Sequence, residues 1–166
     1  MVLRASLCRW TVIAYGAIAV WIALPAQAAD YWWVSNGAKL TTYIDKERVR
    51  PTTSGKIAWV LEINTDVKLQ SSTFVYSLEL SEYGCENRTI KKLSFVDYKR
   101  DGTVIDSETV SYPTEDIVVP ESIGESEFNF VCGIGIQKDQ FIEIGNVSIE
   151  TIVDDTAPKP SSPRRR

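Results

Sequence analysis

Carboxylates, lysines, tyrosines and three cysteines are the side chains that could carry acid–base, nucleophilic or redox chemistry in this chain of 166 residues, because it contains no histidine. The missing imidazole excludes Ser-His-Asp and Cys-His nucleophile systems, histidine general bases and every histidine-containing metal site. Three cysteines are too few for a four-thiolate zinc site or a conventional iron–sulfur cluster. No Ser-x-x-Lys pattern offers a serine–lysine route to acylation, and no D-x-[DN]-x-[DN]-G loop offers a calcium site. Gly133-Ile134-Gly135 lacks the strand, third glycine and helix of a nucleotide loop. Acidic clusters at Asp101 and Asp106, Glu115-Asp116, Glu121 to Glu127 and Asp154-Asp155 read as solvated surface. The expectation is a chain with no enzymatic activity, no metal and no cofactor.

Two groups of residues are candidates for binding instead. Tyr31-Trp32-Trp33 is an aromatic run, and aromatic side chains dominate interface hot spots. A strand buries only one of two adjacent tryptophans in a single core, so the competing reading puts Trp33 inside and leaves Tyr31 and Trp32 at the sheet edge. Lys91-Lys92 and Lys99-Arg100 are the local basic pairs of the body. They could meet an acidic partner, or serve only solubility and edge protection.

The N-terminus carries an export pattern. Arg4 and Arg9 precede an apolar run from Trp10 to Leu24, and Pro25-Ala26-Gln27-Ala28 supplies an Ala-x-Ala cleavage site. The run is shorter than the roughly 20 residues a spanning helix needs, so residues 1–28 read as a cleaved signal peptide with no stable membrane insertion afterwards. Cys8 lies before the apolar run, not after it, which is not the lipoprotein arrangement. The formal charge is −4, and losing Arg4 and Arg9 with the leader makes the mature chain more acidic. Lys159 and Arg164 to Arg166 gather much of the remaining positive charge in a tail. An acidic body argues against nucleic acid as a partner.

Cleavage leaves Cys85 and Cys132. An even pair in an exported chain reads as a disulfide, and no C-x-x-C spacing supports redox thiols. Closing so long a loop stabilises by about 4 kcal/mol on the chain-entropy model.

The elements that must position these residues are mostly strands. Tyr31 to Ser35 opens the mature chain and is followed by the turn signal Asn36-Gly37. Leu40 to Asp45 comes next. In Lys56 to Asn64 the residues Ile57, Trp59, Leu61 and Ile63 alternate with Ala58, Val60 and Glu62, a strand with one buried face and Trp59 in the core. Phe74 to Ser81 alternates likewise, leaving Cys85 just past its end. Arg88 to Tyr98 and Thr103 to Val110 flank Lys99-Arg100-Asp101-Gly102, a hairpin signal. Ser122 with Glu125 forms a capping-box pattern, and Ile123, Phe128 and Val131 then share one helical face. A strand reading of Phe128 to Val131 also fits the alternation. In the helical reading the disulfide pins a short helix onto the sheet. Gly133 to Val153 reads as two further β-like runs, and Asp154 to Arg166 as a disordered Pro/Ser/Arg tail.

Trp33-Val34, Tyr43-Ile44-Asp45 with Arg48-Val49, the run around Trp59, and Cys85-Glu86-Asn87-Arg88 follow one another in an order that resembles the surface-adhesin protein E family of exported bacterial proteins. Gly102 to Ser107, Val119-Pro120-Glu121-Ser122-Ile123-Gly124-Glu125 and Phe130-Val131-Cys132 complete the match. The resemblance implies an antiparallel sheet with a helix held to it by a Cys85–Cys132 disulfide. It also implies adhesion to host extracellular-matrix and serum proteins, as in the family's best-studied members.

The expected fold is α+β, mainly antiparallel β-sheet with one short helix pinned by a disulfide, in a single domain over residues 29–153. The expected function is an exported binding domain for a protein partner, with homodimerisation through open sheet edges as a further expectation. The location is the periplasm or surface of a Gram-negative bacterium. The alternative is a periplasmic structural or envelope-associated subunit without host contact, motivated by the absent lipoprotein cysteine.

Overall fold

A computed structural model describes residues 29–66, 74–135 and 140–159. The signal-peptide reading of residues 1–28 and most of the expected tail lie outside the described residues.

Strand β1 (Asp30–Asn36) turns at Gly37 into β2 (Leu40–Asp45). A 3-10 turn (Lys46–Arg48), in which Asp45 accepts from the Glu47 amide, leads to the short β3 (Arg50–Pro51) and then to β4 (Lys56–Asn64). β5 (Tyr76–Gly84), β6 (Thr89–Tyr98) and β7 (Val104–Thr109) form an antiparallel meander, with β8 (Asp116–Ile117) beside the start of β6. Helix α1 (Ile123–Cys132), strand β9 (Ile142–Asn146) and helix α2 (Ile149–Thr156) complete the described chain. The sheet runs β7-β6-β5-β4-β2-β1-β9, and every pairing is antiparallel.

The alternation read in β4 is real, but both of its faces are covered. Ala58 and Val60 pack with Ile44, Tyr83, Phe128 and Val131 under α1. Leu61 and Ile63 pack with Tyr31, Tyr43, Ile152 and Val153 under α2. The two helices therefore lie on opposite faces of one sheet, and its centre is buried on both sides, as continuous apolar runs in a strand require. Trp59 belongs to neither core and is half-buried, a correction to its expected place inside.

Helix α1 settles the choice between helix and strand before Cys132. Ser122 Oγ accepts from the Glu125 amide at 3.1 Å, satisfying a first-turn donor, and Glu125 Oε2 reaches back past the cap to accept from the Glu121 amide at 2.7 Å. Gly133 ends the helix in the left-handed conformation (φ 74°), its amide donating to Asn129 O. The Cys85–Cys132 disulfide joins the helix C-terminus to the end of β5.

Helix α2 corrects the expected second β-like run. Ser148 caps it, Oγ accepting from the Thr151 amide at 3.3 Å, and Ile149, Ile152 and Val153 have helical spacing. The helix also moves the tail boundary. Asp154 to Thr156 are helical and Ala157 is buried, because Ile152, Val153 and Ala157 close the second core.

Candidate binding surface

The residues expected to bind are largely committed to internal contacts. Tyr31 is 4% exposed within the α2-side core, so it is corrected from surface candidate to core residue. Burial, then the charge of Asp45, pushes its hydroxyl pKa to about 12. Trp32 points to the other face and is half-buried; its Nε1 donates to Asp30 Oδ2 at 3.1 Å, its ring lies 5.9 Å from that of Phe130, and Lys46 Nζ sits 4.5 Å over it. Trp33 packs against the α2-side core. Two cores explain how adjacent tryptophans both find cover, which a one-core reading does not allow.

The basic pairs do not form a patch. Adjacent residues of β6 point to opposite faces, and Lys91 bridges Glu82 and Glu115, both at 3.1 Å, while Lys92 pairs with Glu79. Arg100 reaches Asp154 Oδ1 at 3.3 Å and the carbonyls of Ala157 and Pro158 at 3.2 and 2.7 Å, tying the β6–β7 turn to the end of α2. Lys99 is exposed at the tip.

A buried acidic group beneath α1 is absent from the sequence reading. Cross-strand register places Thr42, Glu62, Ser77 and Asp97 in one row, with Val60 and Glu79 in the next. Glu127 of α1 presses onto this face, 8% exposed, with Tyr83 Oη donating to its Oε2 at 3.4 Å. Thr42 Oγ1 and Glu127 Oε1 are buried with no well-formed hydrogen-bond partner among the described residues. Burial, followed by the charges of Glu62 and Glu79, pushes the Glu127 pKa to about 8; burial and then Glu79 push Glu62 to about 7. In the sequence Glu127 belongs to the acidic run Glu121 to Glu127, which reads as solvated surface. The signal that identifies it is position, since Glu127, Phe128 and Val131 share the buried helix face. No group of three His, Cys, Asp or Glu among the described residues is arranged to hold a metal ion.

Both terminal strands of the sheet are open: β9 exposes Ile142 and Ile144, and the β7 side exposes more. Every residue of β7 is exposed, and Val104, Ile105, Tyr112, Ile117 and Val119 show large apolar side chains there, Tyr112 at 92% exposure. A shallow depression of about 330 Å³ lies across Ser94, Phe95, Val96, Ser107, Glu108 and Thr109. Such a surface suits macromolecular contact better than a small ligand, which needs an enclosing pocket.

One antiparallel sheet, helices on both faces and a disulfide between helix and strand define a compact α+β architecture. The model of the surface-adhesin protein E family matches residues 32–133, more than half of the chain, and the chain belongs to that family. The match runs from β1 through α1 and takes in both disulfide cysteines, Cys85 and Cys132. Neither a curated protein nor a solved structure matches the chain. Among the described residues no helix is long and apolar enough to cross a membrane.

Proposed function

We propose that this protein is an exported, non-enzymatic binding domain that engages a protein partner at the bacterial envelope or on host matrix. The observation that carries the reading is the family match over residues 32–133. Two features support it: the missing imidazole removes the commonest acid–base group, and exposed apolar side chains lie along the open edges of the sheet, five of them on the β7 side and Ile142 and Ile144 on β9.

The test has two parts. Pull-down from matrix proteins and from envelope fractions, using the oxidised mature chain, is expected to retain a partner that denatured chain does not. Protease treatment of intact cells then separates the locations. Cleavage on intact cells supports host-facing adhesion, whereas protection until the outer membrane is opened sinks that part and leaves an envelope-associated role.

A further inference from the structure

The outer edge of β7 has no strand partner among the described residues. The Val110 amide donates to Leu93 O, inward across β6. Because successive amides of a strand point to opposite sides, those of Ser107 and Thr109 point outward. The Ser107 amide donates to the neighbouring Asp106 Oδ1 at 2.8 Å, which fits an outward direction.

Sheet edges are commonly guarded by lysine, proline or a distorting bulge. The six residues of β7 contain neither lysine nor proline, and its only register shift lies at its start, between the partners of Asp97 and Tyr98. The opposite edge differs, since β9 carries Gly145 at φ 79° as its penultimate residue and its ladder with β1 shifts register between Gly145 and Glu143.

Charge selects the occupant. From Asp101 to Gln137 the chain contains no lysine or arginine, while Asp101, Asp106, Glu108, Glu115, Asp116 and Glu121 all fall along the hairpin and the segment after it. Asp106 and Glu108 project from the same face of β7, two residues apart. A second copy of β7 would set acid against acid, and like charges directly opposite destabilise a pair.

We infer that β7 is a receptor strand that takes an extended peptide segment of a partner protein by strand addition, with basic side chains at positions i and i+2 of that segment facing Asp106 and Glu108. This rests on the binding-domain reading above and names the kind of partner. Main-chain hydrogen bonds to Ser107 and Thr109 supply attachment, the two carboxylates supply register and specificity, and Val104 and Ile105 supply apolar cover at the end of the strand.

The test uses the intact oxidised chain and two synthetic peptides of β7's length, alternating valine with lysine or valine with glutamate. The lysine peptide is expected to bind with a salt-sensitive affinity about tenfold or more above the glutamate peptide. It is also expected to slow amide exchange at Ser107 and Thr109. Ser107→Pro removes an outward amide at an edge position that tolerates proline, and should abolish binding. The double change Asp106→Lys and Glu108→Lys should invert the preference, which keeps the test decisive if the proline variant does not fold. Equal binding of both peptides, protection at β9 instead, or a dimer in sedimentation that Ser107→Pro dissolves would each overturn the inference. If Ser107→Pro still retains its envelope or matrix partner while no peptide binds, the inference falls and the binding-domain reading stands.

Discussion

Glu127 keeps its proton at neutral pH because α1 buries it and sets it near the charges of Glu62 and Glu79. A carboxyl whose pKa folding raises contributes stability that is complete below its unfolded value of about 4.5 and is lost as pH climbs through its folded value. For Glu127 the window closes near the folded value of about 8, and for Glu62 near about 7. Stability should therefore decline from mildly acidic to mildly alkaline pH. Glu127→Gln should raise stability at pH 8.5 by about 1–3 kcal/mol and change it little at pH 4, read by urea unfolding at both pH values. Two glycines give a second test at this scale. A Cβ on Gly55 would lie 1.9 Å from the Tyr83 carbonyl oxygen, between packed strands, whereas one on Gly133 meets nothing within 4 Å. Gly55→Ala should cost about 3 kcal/mol or more, and Gly133→Ala only the left-handed penalty of about 1–2 kcal/mol, both visible in denaturation midpoints.

At the scale of elements, α2 is held by a small number of anchors. Ile152 and Val153 are buried, Tyr43 Oη lies 2.8 Å from Thr156 Oγ1, and Arg100 closes on the last turn. Arg100→Ala should speed hydrogen exchange across α2 and lower stability by about 1–2 kcal/mol, while α1 amides keep their protection. The strands were legible because alternation and turn residues are local signals: Gly37 turns the chain between β1 and β2, and Asp101-Gly102 falls between β6 and β7. Helix α1 was legible through Ser122 and Glu125, whose side chains make the caps their types favour. Helix α2 was not, because Val147, Ile149 and Ile152 also fit the β-like runs expected over Gly133 to Val153. Ser148 as a cap and the pair Ile149 with Val153 carry the helical signal, which is short and gains its stability from burial.

For the whole molecule, the disulfide is the long-range constraint. It spans 47 residues of sequence and ties the end of β5 to the end of α1. Reduction, or Cys85→Ser, should lower stability by about 4 kcal/mol, with α1 losing exchange protection before the central strands do. Lys56, which donates to Val131 O at 2.8 Å, and Arg88, which pairs with Glu125, keep part of the contact when the bond is gone. Strand alternation, turn positions, the cysteine pair and the α1 caps depend on residue type and near neighbours, and the amino-acid sequence by itself determined them. Tertiary structure alone decided that two helices take opposite faces of one sheet. That placement buries Tyr31 and Glu127 and gives Arg100 its partners at the end of α2, while pairing of β5 with β6 occupies Lys91 and Lys92 with Glu82 and Glu79 and leaves β7 bare. Burial and pairing depend on what packs above a side chain, and the covering element comes from a part of the chain far away in sequence.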